Sequence, residues 1–333
     1  TISFDEPHHP YLCPQPYSAM YKDYFFPKSP NIWDSLENKP DYQRVWAADS
    51  LKEDKDALQI SEPYYFGCNS YADHLIGEIV NAAEANAPNA IIIYTSDHGD
   101  FLHSHSLGCK GPAAYDEITR VPFIVAGRGI PKGFVSENPV SHINITPTVT
   151  ELMGLPLSKT FEGKSIASEL RDPDIRTNDH VFIEFGRYEV DHDSFGGLQL
   201  MRTVFDGRCK LTVNLLSGDE LYDMENDPHE MENLISNANY KLIRDALHDR
   251  LIKHMDETRD PFRGYYWVDR PWRTDAPARS WMNSSHSRQR EEDERYQKRL
   301  LDYDTGMPIE QAVKLKHDTG ISLKIIRADG QIY

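Results

Sequence analysis

No apolar run in the sequence is long enough to cross a bilayer. The strongest, Ala90 to Tyr94, has five residues, against the roughly 20 that a transmembrane helix needs. Cysteine is scarce, and the four present, Cys13, Cys68, Cys109 and Cys209, form no CxxC pair and no regular spacing. That argues against a disulfide framework or a structural zinc site and leaves the redox compartment open. Positive charge is also short: 36 Lys and Arg face 53 Asp and Glu, a net charge of −17. A sequence-independent grip on nucleic-acid phosphates is therefore not expected. The same field repels an anionic substrate, so any anion site must concentrate cations locally, from a metal ion or a few Lys, Arg and His side chains. The opening Thr1-Ile2-Ser3-Phe4-Asp5-Glu6 lacks the basic region and apolar core of a secretory signal. It also lacks an initiator Met and starts as though at the end of a strand, so a preceding segment is expected. Internal repeats are absent.

What remains is a folded chain of 333 residues, 39% hydrophobic and 11% aromatic, long enough for more than one domain. From Asp5 to about Asp49 it is rich in Pro, Tyr and Trp with weak periodicity, as in a long functional loop. Leu75, Ile76, Ile79, Val80 and Ala83 form the stripe of a helix over Asn69 to Ala85. Ala90 to Tyr94 reads as a strand buried on both faces of a mostly parallel sheet, Val121 to Ala126 as the next core strand, and Ile145 to Met153 as a helix. This alternation predicts an α/β layer over residues 1–175. Residues 176–258 read as a smaller antiparallel sheet. Its strands are Val181 to Phe185, Leu198 to Phe205 and Cys209 to Asn214, the last two joined by an Asp206-Gly207 hairpin, and a helix from Lys241 to about Asp256 covers it. Residues 259–333 form an Arg-, Asp- and Pro-rich tail with a charge run at Arg288 to Arg295, expected to pack on the body or on a partner subunit.

Three segments carry chemistry. Asp97-His98-Gly99 follows a buried strand, where open α/β sheets bind ligands; a carboxylate and an imidazole there suit a divalent cation. The bland alternative is a capping Asp and a surface His. Lys110 lies in a Gly- and Pro-flanked loop, able to bind a tetrahedral anion or protonate a departing oxygen, or simply solvated. Glu6-Pro7-His8-His9-Pro10 holds two imidazoles between prolines that stiffen the backbone.

In this order, Pro-His-x-Pro, Ser-Asp-His-Gly-Asp and Lys-Gly-x-x-x-Tyr-Asp-Glu-x-x-Arg-Val-Pro resemble the sulfatase family of the alkaline phosphatase superfamily. Val140-Ser141-His142 to Pro147-Thr148, Glu220-Leu221-Tyr222-Asp223 to Glu230, and Asn233-Leu234 extend the match. Asp5 to Pro10, Arg187-Tyr188-Glu189, His192 to Gly197 and Arg259 to Arg263 are similar to an uncharacterised bacterial branch.

The resemblance implies an alkaline-phosphatase-like sheet flanked by helices, and a sulfuric ester hydrolase. Asp97 and His98 take metal-ligand positions, Lys110 contacts the sulfate and leaving-group oxygens, and His8 stands beside the same oxygens. The cation implied is most often calcium, with manganese or zinc admitted by the imidazole. The nucleophile implied is a formylglycine in a Cys/Ser-x-Pro-x-Arg motif, which belongs to the preceding segment; Cys13-Pro14-Gln15-Pro16 lacks that spacing. This chain alone is therefore expected to be inactive and to need that segment as its partner.

Arg187 and His192 are candidates for contacting a small sulfated substrate, a sugar among them. Because many sulfatases have Asn at the position of His98, a phosphonate monoester or phosphodiester hydrolase is the neighbouring reading, and a noncatalytic binding fragment a third. A homo-oligomer is compatible with the sequence, and bacterial cytoplasm and periplasm are equally so. All readings of catalysis require His8, Asp97, His98 and Lys110 to converge.

Overall fold

The computed structural model describes residues 1–276 except 61, 173, 190–196 and 259, and leaves aside the side chains of 187–189, 197–198 and 265. The opening segment carries two short helices, α1 (Tyr17–Met20) and α2 (Asp41–Ala47). The long helix α3 (Pro63–Asn86) begins earlier than its apolar stripe suggests, because Pro63 supplies a first-turn residue whose missing N–H costs nothing there. A side chain on Gly67 would place its Cβ 2.6 Å from the Tyr17 carbonyl oxygen, so glycine is what lets α1 lie against α3.

Strand β1 (Ile91–Thr95) pairs with β2 (Phe123–Gly127), Ile93 facing Val125, and the pairing is antiparallel. This corrects the expectation that the two run parallel. A parallel neighbour needs a crossover of a dozen or more residues, usually helical; this connection holds only a 3-10 turn at Ser104–Ser106 and the one-turn helix α4 (Asp116–Thr119). An antiparallel pair inside an otherwise parallel α/β sheet is common. The strands are also less covered than expected, with Tyr94 40% and Ile124 59% exposed. Helix α5 (Ile145–Leu152) follows a turn in which the Ser141 hydroxyl accepts from the Asn144 N–H and Asn144 Oδ1 accepts from the Ser141 N–H at 2.9 Å.

The carboxyl-side sheet is a four-stranded antiparallel meander: β3 (Val181–Glu189), β4 (Gly197–Phe205), β5 (Cys209–Asn214) and β6 (Glu220–Asp223) in spatial order. The β4–β5 turn is the hairpin expected. Gly207 takes φ +97°, and Asp206 Oδ1 accepts from the N–H groups of Arg208 (3.0 Å) and Cys209 (2.8 Å). Helix α6 (Lys241–Glu257) lays Leu247, Leu251 and Met255 on Leu200, Val204, Leu211, Val213 and Leu221, with Trp267 of α7 (Tyr265–Val268) closing the cluster.

The chain beyond α6 is held by two buried bidentate pairs. Arg202 donates to Asp260 at 2.6 and 3.1 Å, and Arg270 to Asp219 at 2.7 and 2.9 Å. The Arg288 to Arg295 run lies outside the described residues. Among the described residues, no helix is long and apolar enough to cross a membrane. The class, α/β with a small antiparallel sheet on the carboxyl side, is the one expected.

Leu211 is fully buried at the centre of that cluster. Leu211→Ala is expected to cost about 2–5 kcal/mol, read as a lower urea midpoint at unchanged m-value. A cost under about 1 kcal/mol would mean that the cluster does not hold the sheet to α6.

Candidate active site

The turn after β1 is shaped by Gly99, whose N–H donates to the Ile118 carbonyl at 2.9 Å; a Cβ there would sit 1.8 Å from the Glu117 carbonyl oxygen. Only glycine allows this approach, which fixes Asp97 and His98 at the strand end against α4. His142, seen in the sequence only as part of a longer motif, steadies the same turn by donating from Nε2 to the Ser96 carbonyl at 2.7 Å.

His98 Nδ1 lies 2.8 Å from the Gly99 carbonyl. A carbonyl only accepts, so Nδ1 carries the proton and Nε2 of the neutral ring keeps its lone pair. That nitrogen stands 3.5 Å from Asp97 Oδ2, with the Asp97 side chain 85% exposed. Partial burial pushes the Asp97 carboxyl up, but the charge that His98 carries when protonated and the His98 N–H (2.9 Å) outweigh it, leaving the group below its ordinary value. Calcium ligands at about 2.3–2.6 Å place neighbouring donors roughly 3.3–3.7 Å apart on one ion, so this pair fits two adjacent positions on a divalent cation. Two donors are a partial set, since such ions take six or more.

Lys110 and His8, separated by 102 positions, meet: Lys110 Nζ is 3.1 Å from His8 Nε2. His8 Nδ1 donates to the His9 carbonyl at 2.8 Å, so Nε2 is the lone-pair nitrogen and the ammonium donates to it. A third set of donors joins these segments. One ligand atom each from His9, Asp100 and Cys109 lies within 4.8 Å of the others. His9 adjoins His8, Cys109 adjoins Lys110, and Asp100 follows His98 by two residues, so the three chemistry-bearing segments converge on one surface. The sequence reading passed over this set because its members share no spacing. Arg187 lies in β3 opposite Gln199, its side chain outside the description, and His192 lies outside the described residues.

Beneath the Lys110 loop runs a buried ionic network, in which Tyr115, Asp116 and Glu230 belong to the quoted sequence strings and Asp34, Lys39, His105 and Lys210 do not. Trp46 packs on Gly111, where a Cβ would come within 2.4 Å of its ring. Tyr115 stacks on His105 at 3.8 Å between centroids, and His105 Nδ1 is 2.6 Å from Asp34 Oδ2. Asp34 also pairs with Lys39, which donates to the Glu230 carbonyl at 2.6 Å. Glu230 accepts from the Asp116 N–H at 2.7 Å, capping α4, and Lys210 of β5 stands 2.8 Å from both Glu230 and Asp116. Burial drives the Glu230 carboxyl up to about 7, helped by the Asp116 charge and opposed by Lys210.

The family model described as Sulfatase matches residues 1–155, and that described as N-sulphoglucosamine sulphohydrolase, C-terminal, matches residues 112–257. An uncharacterized sulfatase, YidJ, of Escherichia coli K12 is 40% identical over 95% of this chain and 61% of its own length. A Delta 4,5-hexuronate-2-O-sulfatase of Bacteroides thetaiotaomicron is 31% identical over 53% of this chain and 36% of its own length. The chain thus spans about three-fifths or less of these relatives. The crystal structure of a phosphonate monoester hydrolase from Agrobacterium radiobacter shares the fold, with TM-score 0.58 and 22% identity over 76% of this chain and 55% of that one.

Glu230 binds its proton more tightly folded than unfolded, so its contribution to stability is present below the unfolded carboxyl pKa and lost as pH rises through about 7. Glu230→Gln lacks that loss. Relative to wild type, the variant is expected to gain on the order of 2 kcal/mol between about pH 4.5 and 7, measured by denaturation across that window. An unchanged difference would show that the carboxyl titrates normally.

Proposed function

This chain belongs to the sulfatase family, and on that premise we propose that it forms the carboxyl-side part of an active site hydrolysing a sulfate monoester, with a sulfated carbohydrate as substrate class. The observation that carries the reading is the Lys110–His8 contact of 3.1 Å, supported by the clustering of their neighbours Cys109 and His9 with Asp100, two residues beyond His98. Lys110 donates to the oxygens of the bound sulfate, a point charge offsetting the repulsion expected from a net charge of −17. Once Lys110 has turned to the sulfate, the His8 Nε2 lone pair takes up a proton from solvent and hands it to the departing alcohol oxygen, with Nδ1 anchored on the His9 carbonyl so that the ring stays aimed.

Asp97 and His98 hold a divalent cation, calcium in the first instance, with manganese or zinc admitted by the imidazole. Bound there, the cation supplies positive charge against the sulfate and the nucleophile. The formylglycine nucleophile and the remaining ligands come from a segment amino-terminal to Thr1. In this reading residues 1–175 bear the catalytic side chains and 176–258 brace them. Arg187 and His192 contact the sugar. The hexuronate sulfatase among the relatives supports the carbohydrate class; His98 keeps phosphonate esters as the competing substrate.

The test pairs the chain with an amino-terminal segment bearing Cys/Ser-x-Pro-x-Arg and assays aryl sulfate beside aryl phosphonate. Sulfate turnover is expected, with Lys110→Ala lowering it about 10²–10⁴-fold and none from the isolated chain. Faster phosphonate turnover would reassign the substrate, and an unaffected Lys110→Ala would remove the lysine from the mechanism. Arg187→Ala and His192→Ala are expected to raise KM for a sulfated sugar; unchanged values would end their role.

A further inference from the structure

Beyond the sulfatase reading, we propose that His9, Asp100 and Cys109 form a second cation site, selective for a thiophilic divalent ion such as zinc. To the carboxylate and imidazole that the Asp97–His98 pair also offers, this set adds a thiol. A thiolate is a poor ligand for the hard ions calcium and magnesium, whereas thiolate and imidazole with one carboxylate are donors of zinc and its transition-metal neighbours. The three ligand atoms already lie within 4.8 Å of one another. Tetrahedral zinc, with bonds of about 2.0–2.3 Å, needs donors roughly 3.3–3.8 Å apart. The remaining closure is within reach of side-chain rotation, because His9 and Cys109 are both exposed at the surface and only Asp100 is half-buried.

The framework around the donors is built, and it is built from three separate stretches of chain. The Phe101 N–H donates to the Cys109 carbonyl at 3.0 Å, clamping the residue after Asp100 to Cys109 itself. The Leu102 N–H donates to Asp100 Oδ1 at 3.0 Å, which orients the carboxylate and leaves Oδ2 for a ligand. The His9 ring packs on Tyr11 with centroids 4.1 Å apart, and Tyr11 meets Tyr65 of α3 edge-on at 5.5 Å. The imidazole is therefore held from behind while its edge faces the other two donors.

The local charge suits a cation as well. Glu62, whose carboxylate takes a 3.3 Å contact from His103 Nε2, adds a second negative group facing Asp100. Three protein ligands leave the fourth tetrahedral position to water.

Binding replaces the thiol proton of Cys109, which leaves to solvent, with a metal–sulfur bond. Because His9 adjoins His8, Cys109 adjoins Lys110 and Asp100 lies two residues from His98, one ion at this site would cross-link every segment that carries a proposed active-site residue. It positions them; it takes no part in the chemistry.

The experiment titrates cobalt(II) into the full chain after chelator treatment, in a phosphine reductant that contributes no thiol. One equivalent is expected to give a thiolate-to-cobalt charge-transfer absorption that zinc then displaces. Cys109→Ser is expected to abolish the band, and His9→Gln to weaken binding at least about tenfold. Asp97→Asn is expected to leave the band in place, which separates this site from the proposed catalytic cation. Cys13→Ser is expected to do the same. No band at saturating cobalt in a chain with native circular dichroism would overturn the proposal, as would a band that survives Cys109→Ser.

Discussion

Lys210 reaches out of β5 in the carboxyl-side sheet and lies 2.8 Å from carboxylates of both Asp116 and Glu230. On this contact the geometry of the candidate site depends. Asp116 opens α4, whose backbone carbonyls close on Gly99, and the same stretch of chain carries Lys110 six residues upstream. A buried ion pair is weak evidence for stability, because desolvation offsets most of its Coulomb gain, yet removing one partner costs about 3–5 kcal/mol. Its value is therefore positional. It holds the loop of one region at a set height on the sheet of another.

The Asp34–Lys39–His105 group extends the same device towards the amino-terminal side. His105 is buried between Asp34, Asn31 and the face of Tyr115, and Lys39 joins Asp34 to the Glu230 carbonyl. Burial lowers the His105 pKa against the pull of Asp34. Apolar packing around the loop, from Leu36, Ala47, Phe101, Leu107 and Tyr222, excludes water and so strengthens each polar contact within it. Rigidity beneath the loop leaves Lys110 and His8 free to face solvent at the surface, where an anionic ester has to arrive against a strongly negative chain.

Much of the fold was legible where the deciding interactions are local. The stripe of α3, the apolar run of β1, the Asp206-Gly207 hairpin and helix α6 all depend on residues within one or two turns of each other, and they stand close to expectation apart from the earlier start of α3 at Pro63. Strand direction was not legible. An apolar run says that a strand is present, but whether its neighbour runs parallel depends on the path of the connection between them, and here a one-turn helix returns the chain antiparallel. The extent of burial was likewise misjudged, since Ile124 and Tyr94 gain cover only from whatever packs beside them.

The candidate site divides in the same way. Sequence alone determined the kinds of donor and their order: an imidazole between prolines, a carboxylate and imidazole after a strand, a lysine in a glycine-flanked loop, with the glycine at position 99 that the turn requires. Only the tertiary structure decided which of them touch. Lys110 and His8 meet across 102 positions, His105 finds Asp34 across 71, and His9, Asp100 and Cys109 come together from three stretches of chain. Covalent spacing constrains neighbours along the chain, whereas these contacts arise from packing and buried charge, which no local pattern records.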